Sequence, residues 1–358
     1  MKKIYGVIVL CLCMVACGSE TQLFQQAKLA QSQGNYQKAL GLYNKLIKQN
    51  PNHAAALTNR ALVWELMPAK DKAEKAKNLD FAEQDYLRAL EINPERPETY
   101  NNLGGLYLDR NQNGYAVAYL SEALYRDPTY FKARVNRAVA YSKLGQFSDA
   151  IADFNIASQQ RPHDPFLLLN RGLAYMDVYK YEAAAGDFSH ALVKDPNNAR
   201  LYVERARAFM KMGYPADAYD DLTQAIALQP SYAVAYYFLA DLLFRNGEKD
   251  EALGTLVRTK ELAPQYVAAY DLMGDMLAME DPVAATANYL VALKLDPEHE
   301  VKYRWKIEMM KTEEGRYRVM TQRFFPQGRA YDVSGQPRFR APVNRAAGAT
   351  PANQGATR

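Results

Sequence analysis

Cysteine, histidine and asparagine are the residues whose placement could do chemistry in this chain, and each is placed differently. The three cysteines, Cys11, Cys13 and Cys17, all fall near the N-terminus, and none follows. A disulfide framework needs a distant partner, and a structural zinc site needs four ligands at defined spacing; the nearest histidine is His53. The four histidines, His53, His163, His190 and His299, are scattered, and no glycine-rich phosphate loop or nucleophile elbow accompanies them. No catalytic constellation, metal site or cofactor is therefore expected. Asparagine behaves otherwise: Asn102, Asn136 and Asn170 recur every 34 residues, with Asn59 a further 43 residues upstream. A side-chain amide offers two donors and an acceptor, so it can pair with a peptide unit whatever side chain that peptide carries. Such a row has two readings, contact with a peptide unit of a partner or simple solvation.

The cysteines end a different signal. Lys2 and Lys3 precede the apolar run IYGVIVLCLCMVA, which has the length of a secretory h-region. It falls short of the about 20 residues that a bilayer-spanning helix needs. The end of the run resembles the lipobox of bacterial lipoproteins, in which small residues precede a cysteine that receives a diacylglycerol. Ala16 stands directly before Cys17, whereas Cys11 and Cys13 each follow a leucine; Met14 departs from the leucine usual in that motif. The resemblance implies a signal peptide over residues 1–16 and lipidation at Cys17. The alternative is an ordinary signal peptide cut near Ala16, leaving a free thiol. Two or more acyl chains anchor a protein stably where one does not. In enterobacterial lipoproteins an aspartate after the lipidated cysteine retains the protein in the inner membrane. Gly18 is there instead, so the resemblance implies a bacterial envelope protein on the outer membrane, facing the periplasm.

The elements that position the asparagines follow from an internal ruler. Pro51, Pro94, Pro128, Pro162, Pro196, Pro230, Pro264 and Pro297 are spaced 43, 34, 34, 34, 34, 34 and 33 residues apart. Apolar spacing fits two helices per period, the proline ending the second. With residues 131–164 as reference, position eight is always Ala or Gly, from Ala27 to Gly274, and so is position twenty, from Ala39 to Ala285. Aromatic residues at positions eleven and twenty-four, such as Tyr175 and Phe188, fill the space around them. A 34-residue period with this punctuation resembles the tetratricopeptide repeat over residues 20–311. The resemblance implies an all-α, right-handed solenoid of about eight helix–turn–helix repeats. Within that range, after the eighth repeat, EVKYRWKIEMMK places Tyr303, Ile307 and Met310 on one stripe, which suits a capping helix. The second repeat holds about nine extra residues around WELMPAKDKAEKAKN, with Pro68 placed to start a lengthened second helix and lysines expected on a solvated face.

Charge separates body from tail. The formal net charge of +4 includes +2 from Lys2 and Lys3 and +5 from residues 312–358, which leaves −3 between. Nucleic-acid binding, which needs basic faces on the fold itself, is not expected. Residues 312–358, rich in Pro, Gly and Ala with eight arginines, are expected to be disordered.

Two patterns recur beyond the core. Position seven is arginine in four repeats, at Arg60, Arg137, Arg171 and Arg205; position twenty-three of the same four is Asp85, Asp153, Asp187 and Asp221. The other four repeats carry neither an arginine at position seven nor an aspartate at position twenty-three. Both positions flank a buried face, where a lone charge would cost several kcal/mol, so structural pairs are expected. Position six, opposite the core, carries Asn59, Asn102, Asn136 and Asn170, then Glu204 and Phe238. The four amides resemble the asparagine ladder of the repeat superhelix of O-GlcNAc transferase, which grips an extended peptide by its backbone. Further on, Arg200 and Arg207 lie near Tyr237 and Phe238, a set of cations beside exposed aromatics that suits an interaction patch unless the tail or the array covers it. The chaperone-binding carboxylate clamp is excluded: Val135 and Val139 precede Asn170, and Glu204 fills the last slot. The expected function is a membrane-anchored scaffold that binds a protein or extended peptide partner, resembling repeat lipoproteins of pilus or secretion assembly or of hydrolase docking. The alternative is an electrostatic tether whose arginine-rich tail binds anionic lipid or cell-wall polymer.

Overall fold

The computed structural model describes residues 20–324, and over them the chain is helical with no strand. In chain order the α-helices are α1 (20–32), α2 (Tyr36–Gln49), α3 (Ala54–Leu66), α4 (Lys72–Ile92), α5 (Pro97–Asp109), α6 (Asn113–Arg126), α7 (Phe131–Lys143), α8 (Phe147–Gln160), α9 (Pro165–Asp177), α10 (Tyr181–Lys194), α11 (Ala199–Met212), α12 (Pro215–Leu228), α13 (Ala233–Asn246), α14 (Lys249–Leu262), α15 (Val267–Leu277), α16 (Pro282–Leu295), α17 (Glu300–Met309) and α18 (Glu313–Phe324). A 3-10 turn, Pro297–His299, precedes α17. The chain forms two compact units, one ending at Ala191 and the other beginning at Leu192, within α10. Cys17 lies outside the described residues, as does the chain beyond 324.

In the first unit α3 packs on α4, α5 on α6 and α7 on α8, and each second helix packs on the next first helix. The first helices α3, α5, α7 and α9 also touch in succession. The second unit repeats the scheme from α11 to α16, and α17 then packs on α16. Consecutive helix pairs stacked in this way are the fold of a tetratricopeptide solenoid.

The local chemistry explains why helices start and stop where they do. Asn35, Asp71, Asp164, Asn198 and Asp281 cap helix N-termini with side-chain oxygens, each meeting an N–H that would otherwise be orphaned. Position fifteen of the repeat, between the two helices, is left-handed: Gly34, Gly145, Gly213 and Gly247 have φ of 72°, 75°, 81° and 88°. Asn111 at φ 57° and Tyr179 at φ 61° hold the same turn without glycine, and a bulky residue there is strained. At the helix crossings the small residues are fully covered, as Ala138, Ala150, Ala206 and Ala218 show. Where the position is glycine the approach is closest: a Cβ on Gly172 would stand 2.5 Å from Phe188, and one on Gly274 2.3 Å from Tyr289. Tyr43, Tyr86, Phe154, Phe188 and Tyr289 at position twenty-four are all buried, each removing an aromatic from water for roughly 2–3 kcal/mol.

Two boundaries differ from expectation. Pro68 does not open the lengthened helix; the chain turns through residues 67–71 and α4 starts behind Asp71, whose carboxylate accepts from Glu74 N–H while Glu74 accepts from Lys70 N–H. These two bonds, a variant of the capping box in which Glu74 reaches one residue beyond the N-cap, specify the start more strongly than the proline does. The stretch 312–358 is not irregular throughout, because it opens with α18. Val319 is buried against Ala285, Tyr289 and Met310, so α17 is itself covered by a further helix.

Candidate peptide-binding site

The first unit brings the four asparagines onto the adjacent first helices α3, α5, α7 and α9, each half-buried. Their amides are already partly engaged. Asn59 Nδ2 donates to the Ala55 carbonyl at 2.7 Å and Asn170 Nδ2 to the Phe166 carbonyl at 2.7 Å, one turn back in each helix. Asn136 Nδ2 donates to Asn101 Oδ1 at 3.1 Å, and Asn101 Nδ2 donates to Asn102 Oδ1 at 3.2 Å. Asn101, buried and unremarked in the sequence, therefore ties two helices of the row together. Among the described residues no donor reaches Oδ1 of Asn59 or Asn170. Each still has an acceptor and one N–H to offer.

The arginines and aspartates of positions seven and twenty-three meet in four forked pairs. Arg171 Nε and Nη2 donate to the two oxygens of Asp187 at 2.8 and 2.7 Å. The same geometry joins Arg60 to Asp85 (2.7 and 2.6 Å), Arg137 to Asp153 (2.7 and 2.9 Å) and Arg205 to Asp221 (2.8 and 2.6 Å). All four aspartates are buried. Their hydrogen bonds push the guanidinium groups of Arg137, Arg171 and Arg205 above the ordinary arginine value, so these side chains are committed to structure. The third arm reaches the preceding repeat: Arg60 Nη1 donates to Asn44 at 2.7 Å, Arg137 Nη1 to Ser121 at 3.1 Å and Arg171 Nη1 to Asn155 at 3.0 Å. Asn44, Ser121 and Asn155 all occupy position twenty-five, and this partner was missed in the sequence. The signal was partial: position twenty-five is Leu87 before Leu103 and Val257 before Met273, where the next repeat lacks the arginine, yet the polar Thr223 stands before Leu239.

The second unit departs from the expected open face. Tyr237 and Phe238 are half-buried, not exposed, because Tyr237 packs edge-on against Phe238 (5.1 Å) and Tyr266 (5.2 Å). Burial pushes the Tyr266 hydroxyl up to about 12. Arg207 lies over the Phe238 ring at 5.1 Å and pairs with Glu204, which is itself buried; Arg200 remains exposed. Leu272, the next residue of the position-six row, is fully buried. This row is thus a packed aromatic seam with one cation on top.

Beyond it, α15, α17 and α18 enclose a pocket of about 530 Å³ lined by Val301, Trp305, Val319 and Gln322 beside four charges. Lys306, buried at position seven of the capping helix, donates to Asp271 at 2.7 Å and Asp275 at 2.6 Å. Lys302 reaches Asp271 at 2.9 Å, and the Tyr289 hydroxyl donates to Asp275 at 2.8 Å. Burial acts to raise the Asp271 carboxyl, but Lys306 and Lys302 outweigh it and hold it below its usual value. The charges cancel one another and dock the cap. Among the described residues no group of three or more metal-ligating side chains is placed to hold an ion.

Comparison with known proteins agrees with this architecture. Profiles of the tetratricopeptide repeat match residues 24–80, 97–130, 135–202 and 210–275. Human serine/threonine-protein phosphatase 5 is 33% identical over 90 residues, which is 25% of this chain and 18% of the phosphatase; the rat enzyme matches alike. The chain therefore spans under a fifth of the length of these relatives, and their activity is not carried over. A tetratricopeptide repeat protein of Parabacteroides merdae superposes with a TM-score of 0.54 at 18% identity, covering 72% of this chain and 98% of the other. PilW, a type IV pilus biogenesis factor, does so with 0.55 at 22% identity, covering 62% and 98%. At these identities the likeness speaks for the fold. With profiles of one repeat matching more than half its residues on stacked helix pairs, the chain belongs to the tetratricopeptide repeat family, whose fold is in general a non-catalytic scaffold for protein interaction.

Proposed function

We propose that this protein is a membrane-anchored scaffold whose first unit binds an extended peptide segment of a partner along the asparagine row. The observation that carries the reading is the placement of Asn59, Asn102, Asn136 and Asn170 on four successive, touching helices, with an open acceptor at Asn59 and Asn170. Packed helices lie about 8–10 Å apart and an extended chain advances about 3.3 Å per residue, so one asparagine meets every third peptide unit. The anchor is the lipid at Cys17, and the place is the bacterial envelope, with assembly of pilus or secretion machinery or docking of hydrolases as the setting. Among the described residues no helix is long and apolar enough to cross a membrane. The likeness to PilW supports the setting by analogy.

A photo-crosslinking residue at position 136, used in intact envelopes, should capture the partner; one at the exposed Tyr125 should not. The affinity of the captured segment is then measured for Asn136→Ala/Asn170→Ala and for a chain ending at residue 324, each at low and high salt. Two lost amides, each worth about 0.5–1.5 kcal/mol net, should weaken binding roughly ten- to hundredfold with little salt dependence. Unchanged binding in the asparagine variant, with salt-sensitive loss in the shortened chain, would sink the reading in favour of the arginine-rich tail as a tether.

A further inference from the structure

The insertion in the second repeat builds a pocket of its own. Extra turns at the start of α4, together with α2 and α3, enclose about 660 Å³. One wall is apolar: Trp64 and Phe81 lie 4.9 Å apart, with Leu40 and Met67 beside them. The rim carries Lys70 and Lys77, both exposed, the latter 5.7 Å from the Phe81 ring. Among the described residues no carboxylate pairs with either lysine. The carboxylates of Asp71 and Glu74 on the same rim are taken up in capping the helix. Overall the segment 69–78 has four lysines against two acids in an otherwise mildly acidic body.

Asn78 also lines this pocket, and it is out of place. It sits where Asn35 caps α2 and where Gln112 and Gln146 precede their helices, at position sixteen of the repeat. In the second repeat the helix runs on past that point, so the capping role is gone. The side chain is 5% exposed, and its Nδ2 has no acceptor among the described residues. A buried donor without a partner is rare in a native protein, and an apolar side chain there would avoid the penalty. A turn of the terminal amide presents the donor to the pocket.

We infer that this pocket is a second peptide-binding site, taking a bulky apolar side chain from an acidic segment. The apolar side chain lies against Trp64, Phe81 and Met67, a backbone carbonyl accepts from Asn78, and flanking carboxylates face Lys70 and Lys77. The site does not depend on the asparagine row.

The chain has two tryptophans, so Trp305→Phe leaves Trp64 as the sole reporter. The probe is a blocked pentapeptide with leucine flanked by aspartates, compared with its alanine-centred and its lysine-flanked counterparts. The aspartate-flanked leucine peptide should change Trp64 emission saturably, and both counterparts should bind at least tenfold more weakly. Asn78→Leu should weaken the peptide about tenfold while the melting temperature stays level or rises. Lys70→Ala/Lys77→Ala should weaken it and remove most of its salt dependence. Asn136→Ala/Asn170→Ala should leave this response unchanged, which separates the site from the asparagine row. No saturable change by millimolar peptide, an equal response to the lysine-flanked peptide, or an Asn78→Leu chain that binds as well or melts lower would overturn the proposal.

Discussion

Asp187 accepts two hydrogen bonds from Arg171 in a place closed to water, and the cost of removing one partner exceeds the cost of removing both. Asp187→Ala should therefore destabilise the chain more than Arg171→Leu/Asp187→Ala does. A double-mutant cycle by chemical denaturation measures this, and a coupling below about 0.5 kcal/mol would contradict a close pair. A second residue sets a dependence on pH. Burial raises the Glu65 carboxyl to about 7, against the hydrogen bond from the Tyr86 hydroxyl, which lowers it. The folded state then holds a proton that the unfolded state releases near pH 4.5, so the contribution of Glu65 to stability is fully present below that value and is lost as pH rises to about 7. The loss is on the order of 3 kcal/mol. Glu65→Gln keeps an acceptor for Tyr86 and should flatten the fall of melting temperature between pH 5 and 8. At this scale the repeat made the pairs legible, because positions seven and twenty-three switch together within one chain. Lys306 with Asp271 and Asp275 was not legible, since the lysine's partners lie on the preceding first helix and no second instance exists to compare.

Helix α18 shows where composition misleads at the scale of the element. Arg316, Arg318 and Arg323 make the stretch basic, and Val319 is its one deeply buried aliphatic side chain, too little for an apolar period to show. Its burial depends on neighbours contributed by α16 and α17, which sequence spacing does not reveal. Ending the chain after Lys311 should expose Tyr289, Ala285 and Met310 and lower stability by roughly 2–4 kcal/mol, read as a drop in melting temperature. Ending it after residue 324 should leave the melting temperature unchanged, and an equal drop in both would deny α18 its role as a cap. The start of α4 was misplaced for a related reason. Proline marks where a helix is permitted to begin, but the Asp71–Glu74 box determines where this one does.

For the molecule as a whole, the expected anchor makes a clean prediction. Cys17→Ser should move the protein from membranes to the soluble periplasmic fraction, and the parent should incorporate labelled fatty acid where the variant does not. A variant that still sediments with membranes at high salt, from a parent that takes up no label, would end the lipoprotein reading. Within the first unit, the third arm of each paired arginine has a further consequence for how the array comes apart. Arg60, Arg137 and Arg171 bolt their repeats to the one before through Asn44, Ser121 and Asn155. Between the second and third repeats, where Leu87 and Leu103 occupy the two positions, Arg110 serves instead by reaching back to Asp80 and Glu83, and Tyr107 donates to Glu83 as well. Every junction of the first unit thus carries a polar tie, so amide hydrogen exchange should show its repeats opening as one block rather than dividing between the second and third.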